Sequence, residues 1–204
     1  VIVSADANLD VSEYTFTGGM LNTALLAVNQ GGLVLDNAGV NAGMYVILSN
    51  DAKLTVNADT VLTVGKEQGA DEGAGMMGSF VSVGGEAKLI NEGTTTIHGT
   101  LSVADTAAVS NSDMLSVDAV SAEGSTIDNT GTFIVAGGGI IGKLTGEGAL
   151  ENAGQLSVLS DTTLSSLTNS GTLSVNGNLT VNSAVTQGGT VTATNVTVNG
   201  DAAF

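Results

Sequence analysis

A chain of 204 residues with 20 acidic side chains, four lysines and no arginine carries a formal charge of −16, which excludes a basic groove for nucleic acid or another polyanion. Hydrophobic residues make up 42% and aromatics only 3%, with no proline, cysteine or tryptophan, so the core must be built from Val, Leu, Ile and Ala without disulfides. Such small side chains suit many thin, similar layers better than one thick globular centre, and no apolar run approaches the ~20 residues that a membrane-spanning helix needs.

The chain begins at Val1 with neither an initiator Met nor a signal peptide, which is expected of a processed or excised piece of a longer product. From Val1 to Phe16, Leu9, Val11, Tyr14 and Phe16 stand between small or acidic residues in strand-like fashion, and Gly18-Gly19 ends the run. Met20 to Gln30 reads two ways: Leu21, Leu25 and Val28 have helical spacing, and Ala24 to Val28 equally suits a buried strand. Residues 1–30 are therefore expected to form an N-terminal cap, with a short helix as one option, or the first coils of a single domain covering 1–204. Strands alternate with Asn/Asp/Gly turns from Gly31 to Val64. Gly65 to Ser79 then lacks strand periodicity and reads as a projecting loop.

Beyond Phe80 a unit recurs. Asn91-Glu92-Gly93-Thr94, Asn111-Ser112-Asp113-Met114, Asn129-Thr130-Gly131-Thr132, Asn152-Ala153-Gly154-Gln155 and Asn169-Ser170-Gly171-Thr172 each precede an aliphatic strand, for example Leu173-Ser174-Val175. These asparagines lie 17 to 23 residues apart, the period of a solenoid coil. In Leu-Ser-Val the two aliphatics point to one face and the hydroxyl to the other. Stacking coils is expected to place Leu101, Leu115, Leu156 and Leu173 in one inner column and Ser102, Ser116, Ser157 and Ser174 in an outer ladder. Asn is expected to serve the corners through turn or left-handed conformations, and Gly through positive φ. The fold expected is thus an all-β parallel β-helix, or β-solenoid.

The Asn-x-Gly-Thr-Leu-x-Val pattern, with the Thr/Val/Asn/Gly tail from Val181 to Gly200, resembles the passenger regions of bacterial autotransporter adhesins and related surface β-helix proteins. The resemblance implies a right-handed parallel β-helix exported to the cell surface or the extracellular space, with a role in adhesion, aggregation or filament formation.

Local chemistry offers few signals. The single histidine, His98, reads as a turn residue rather than a member of a Ser/His/Asp triad, and a carbohydrate-active site lacks its usual Arg and Trp, so the chain is expected to be non-enzymatic with no cofactor. Glu67, Asp71 and Glu72 are the candidate calcium ligands, as in a calcium-stabilised surface-layer-type protein, although their spacing fits neither an EF-hand nor a Gly-Gly-x-Gly-x-Asp repeat. Met76 and Met77, in the same loop, are candidate contacts for a host or bacterial partner. Tyr14 and Phe16 near one end and Phe204 at the other are candidates for capping, docking or head-to-tail self-association, because solenoid ends expose unpaired edges.

Overall fold

The computed structural model describes residues 13–66, 78–104 and 106–203. Among them there are twenty strands and no helix, and every pairing is parallel. The strands stack into a β-solenoid of about nine turns. At the ~4.8 Å spacing of neighbouring strands this is a rod roughly 45 Å long.

Each turn is a triangle of three strand segments. The first face stacks 13–17, 32–36, 53–56, 88–91, 108–111, 126–129 and 143–145. The second runs from 20–23 through 39–42, 61–64, 94–97, 114–117, 132–135, 149–152, 166–169 and 184–187 to 201–203. The third runs from 25–28 through 45–48 and 80–83 to 172–175 and 190–192. Beyond Lys88 the coil shortens: Ala108 lies 20 residues after its partner Lys88, and Leu173 lies 17 after Leu156.

Met20–Val28 is a strand, which removes the helical option for this segment. Its inward residues Leu21, Leu26 and Val28 are buried, and a strand that turns one corner midway accounts for the uneven spacing that looked helical. The alternation of aliphatic and hydroxyl residues is as expected: Leu101, Leu115, Leu156 and Leu173 are all buried and their serine neighbours face outward. They do not form one column, however. Leu115 belongs to the second face, where it sits between Thr95 and Phe133. Leu101, Leu156 and Leu173 belong to the third, whose inner column reads Leu101, Val120, Gly139, Leu156, Leu173. The same Leu-Ser-Val tripeptide serves two faces, so sequence likeness does not specify the column. Burying each of these leucines contributes about 1.5–3 kcal/mol.

The asparagines of the repeat are inside the rod. Asn91, Asn111, Asn129, Asn152 and Asn169 are each at most 2% exposed, and none has positive φ; among the described residues the left-handed non-glycine ones are Asn37, Asn50 and Asp59, in the early coils. They form two ladders at two corners. Asn91, Asn111 and Asn129 stack where the first face meets the second, and Asn152 and Asn169 stack, with Gln187 above them, where the second meets the third. Side-chain amides bond along each ladder: Asn91 Nδ2 to Asn111 Oδ1 and Asn111 Nδ2 to Asn129 Oδ1 at 2.7 Å, and Asn152 Nδ2 to Asn169 Oδ1 at 2.8 Å. Each Nδ2 also donates to backbone carbonyls, as Asn111 does to Asp113 O at 3.3 Å and Thr132 O at 3.0 Å. The amide therefore closes its own turn and ties it to the next coil, satisfying backbone acceptors that the corner would otherwise leave buried and unpaired.

The glycine two residues later serves close approach, not positive φ. A Cβ on Gly154 would strike the Gly137 backbone, one on Gly171 the Gly154 carbonyl oxygen, and one on Gly189 the Gly171 carbonyl oxygen. That carbonyl is occupied in stacking: Thr172 N donates to Gly154 O and Thr190 N to Gly171 O, both at 2.8 Å.

Candidate functional surfaces

The stacked core leaves three places where side chains are not committed to neighbours above and below. The first is a groove of about 530 Å³ at the corner between the second and third faces in the early coils, lined by Asn22, Thr23, Ala24, Asn41, Gly43, Gly65 and Lys66. Small residues at 24, 43 and 65 hollow it. Asn41 Nδ2 donates to Asn22 Oδ1 at 2.9 Å and approaches Met20 Sδ at 3.5 Å, giving one wall a row of amides. Beside the groove, Leu25, Tyr45 and Phe80 form one outward column on the third face, each half-buried, with the Tyr45 and Phe80 rings 4.5 Å apart and tilted by 41°. Amides, a hydroxyl and the Lys66 ammonium next to a ring pair can hydrogen-bond to and stack on a polar ligand.

Tyr45 and Phe80 are paired although 35 positions apart in the sequence, and residues 67–77 between them lie outside the described residues. The strand Val61–Val64 ends before Gly65 (φ 79°), and Gly78 precedes the strand Ser79–Val83. The calcium candidates Glu67, Asp71 and Glu72 and the partner candidates Met76 and Met77 lie outside the described residues. Among the described residues no group of three or more His, Cys, Asp or Glu is placed to hold a metal ion. His98 lies within the strand Thr94–Val103, half-buried at the bend from second to third face, rather than in a turn between strands.

The other two places are the ends. At the beginning, Tyr14 is 41% exposed and Phe16 is half-buried against the core, but the inward residues of the same coil, Leu21, Leu26 and Val28, are 2–5% exposed. At the far end the last described strands, Thr190–Thr192, Asn195–Val198 and Asp201–Ala203, each pair with a single described neighbour. Between them a cavity of about 550 Å³ is lined almost wholly by aliphatics, including Leu167, Leu179, Val181, Val185 and Val191. Val196 on its rim is 53% exposed. Phe204 lies outside the described residues.

Two features escaped sequence reasoning: the Tyr45–Phe80 pair, hidden by a separation of 35 positions, and the inner role of the asparagines. The second had a signal. Leu89-Ile90-Asn91, Val109-Ser110-Asn111, Ile127-Asp128-Asn129, Leu150-Glu151-Asn152 and Leu167-Thr168-Asn169 all put Asn two residues after an inward aliphatic, on the inward side of the strand. No protein-family model, curated protein or solved structure matches the chain.

Proposed function

We propose that this chain is a non-enzymatic structural module of a bacterial cell surface, a stiff β-solenoid stalk that holds adhesive or self-associating parts at a fixed distance. The observation that carries the reading is the continuous parallel pairing of the second and third faces along the described rod, over one aliphatic core. A rod in which every coil is bonded to the next transmits bending and tension along its whole length, which a stalk requires. The test is display on a bacterial surface between an anchor and a terminal epitope. The native chain should promote cell aggregation or attachment, and Leu173→Asp, which breaks the stack, should not; equal behaviour of the two would overturn the reading.

A second reading, a partner-binding adhesin acting through the 65–79 segment, draws support from the amide-lined groove and the Tyr45–Phe80 pair, which flank the two ends of that segment. Here deletion of 67–77, or Tyr45→Ala, should abolish binding to cells or matrix while leaving the thermal melt in place. Loss of binding only when the rod unfolds would count against it.

A further inference from the structure

The three faces are not equally continuous. On the second face 132–135, 149–152 and 166–169 pair in succession, and on the third 138–141, 155–158 and 172–175 do the same. On the first face 143–145 pairs with 126–128 below it and 162–164 pairs with 179–181 above it, yet 143–145 and 162–164 do not pair with each other. Backbone bonding between these two coils reaches the gap with Leu159 N to Ile141 O at 2.9 Å and resumes only with Ser165 N to Gly148 O at 3.0 Å.

Side chains do not bridge the gap either. Directly above Asn129 the corner is Gly146-Glu147-Gly148, held by Gly148 N to Asn129 O at 2.9 Å, so the buried amide ladder of that corner stops just below the gap. The next ladder starts at a different corner, with Asn152. Inside the gap Thr162 is 3% exposed, and its hydroxyl donates to Ser160 O of its own coil at 3.1 Å instead of reaching the neighbouring one.

We propose that the rod carries a hinge at this place. The second and third faces form its continuous leaf, and the first face opens between 143–145 and 162–164. Bending toward any other side stretches paired ladders, whereas opening the first face parts only the packing of Leu144 against Thr162 and Leu164. Gly146, at φ 84°, gives the corner beside the gap backbone freedom that other residues lack. Among the described residues this is the one lapse in the three ladders, so bending and yielding under load concentrate here, and the last coils swing relative to the earlier ones. The hinge follows from coil pairing alone and stands whether or not the rod is a cell-surface stalk.

The chain has no cysteine, so pairs of spin labels read the hinge directly. Three pairs of positions each span four coil steps, about 19 Å. Ser110→Cys with Thr180→Cys crosses the gap on the first face, Lys53→Cys with Lys143→Cys stops short of it on the same face, and Ser102→Cys with Ser174→Cys crosses the same coils on the third face. The distance distribution should be about twice as broad or more for the first pair than for either of the others. Hydrogen exchange of the unsubstituted chain is the second measure. Segments 143–147 and 160–164 should exchange about tenfold faster or more than 126–129, which is paired on the coils both above and below. The proposal is overturned by equal breadth of the two first-face pairs, by a third-face pair as broad as the first, or by exchange at 143–147 and 160–164 as slow as at 126–129.

Discussion

Asn111 donates its side-chain N–H to Asn129 Oδ1 across 2.7 Å and accepts one from Asn91 at the same distance, so one amide holds three coils in register inside an aliphatic core. All amides of this ladder point the same way, and such chains of bonds strengthen one another in a low-dielectric interior.

Removing the middle rung leaves a buried donor on one neighbour and a buried acceptor on the other. Asn111→Ala should therefore cost about 2–4 kcal/mol. The exposed ladder at the far end supplies the control: Asn195 donates to Asn178 Oδ1 at 2.7 Å in solvent, and Asn195→Ala should cost under about 1 kcal/mol. Denaturant midpoints compare them, and equal losses would show that burial is not what gives the inner ladder its weight.

Asn111→Asp probes the direction of the same ladder. The nitrogen it replaces faces Asn129 Oδ1 and the carbonyl oxygens of Asp113 and Thr132, so the carboxylate oxygen taking its place meets acceptors only, while the other oxygen keeps the bond from Asn91. The folded state then favours the protonated acid, raising its pKa above the unfolded value of about 3.9. The variant is least handicapped below that value and loses stability relative to the native chain as pH rises through its folded-state pKa. Paired unfolding curves from about pH 3.5 to 7 should show the gap widening with pH; a constant gap would contradict the assignment.

The second ladder begins on an unpaired atom. Asn152 lies over Val135 and its Oδ1 has no hydrogen-bond partner, whereas Asn91, which lies over Val56, accepts a bond from Thr95 Oγ1 at 2.7 Å. Val135→Thr brings a hydroxyl donor beneath that oxygen and should be close to neutral. Val117→Thr, at the matching place one coil earlier among aliphatics, should cost about 1–3 kcal/mol. Similar losses for both would mean that the orphan oxygen is not reachable from 135.

Close stacking of the corners predicts a sharp contrast between glycines. Gly171→Ala drives a methyl into the Gly154 carbonyl and should destabilise by about 1–3 kcal/mol or more, while Gly188→Ala points into open space and should be nearly silent. Equal ranking in thermal melts would show that the corners can loosen to admit a methyl group.

Leu173 and Ser174 test inside against outside. Leu173 is fully buried and Ser174 exposed, so Leu173→Asp should abolish the cooperative melt and Ser174→Asp should shift it by under about 1 kcal/mol. Comparable damage from both would sink the assignment.

The coil and its inner and outer faces were legible because a period of two survives in every Leu-Ser-Val and Val-Ser-Asn triplet. The grouping of leucines into columns was not, since Leu115 and Leu173 sit in near-identical tripeptides on different faces. Nor was the placing of the asparagines, because Asn is a common turn residue and only its parity with Leu150 or Leu167 betrays that it points inward. The groove beside Tyr45 and Phe80 depends on a pairing across 35 positions that the strand rhythm does not encode.

Between Asn129 and Asn152 the repeat steps 23 residues, and the ladder passes from one corner of the triangle to the next without a break in the core. A corner and the strand after it are thus interchangeable among faces. Insertion or loss of one such unit adds or removes only about a third of the ~4.8 Å rise. It turns everything beyond it by about a third of a revolution around the rod axis, so surface features can be re-aimed by small changes in the gene while the length of the rod stays almost the same.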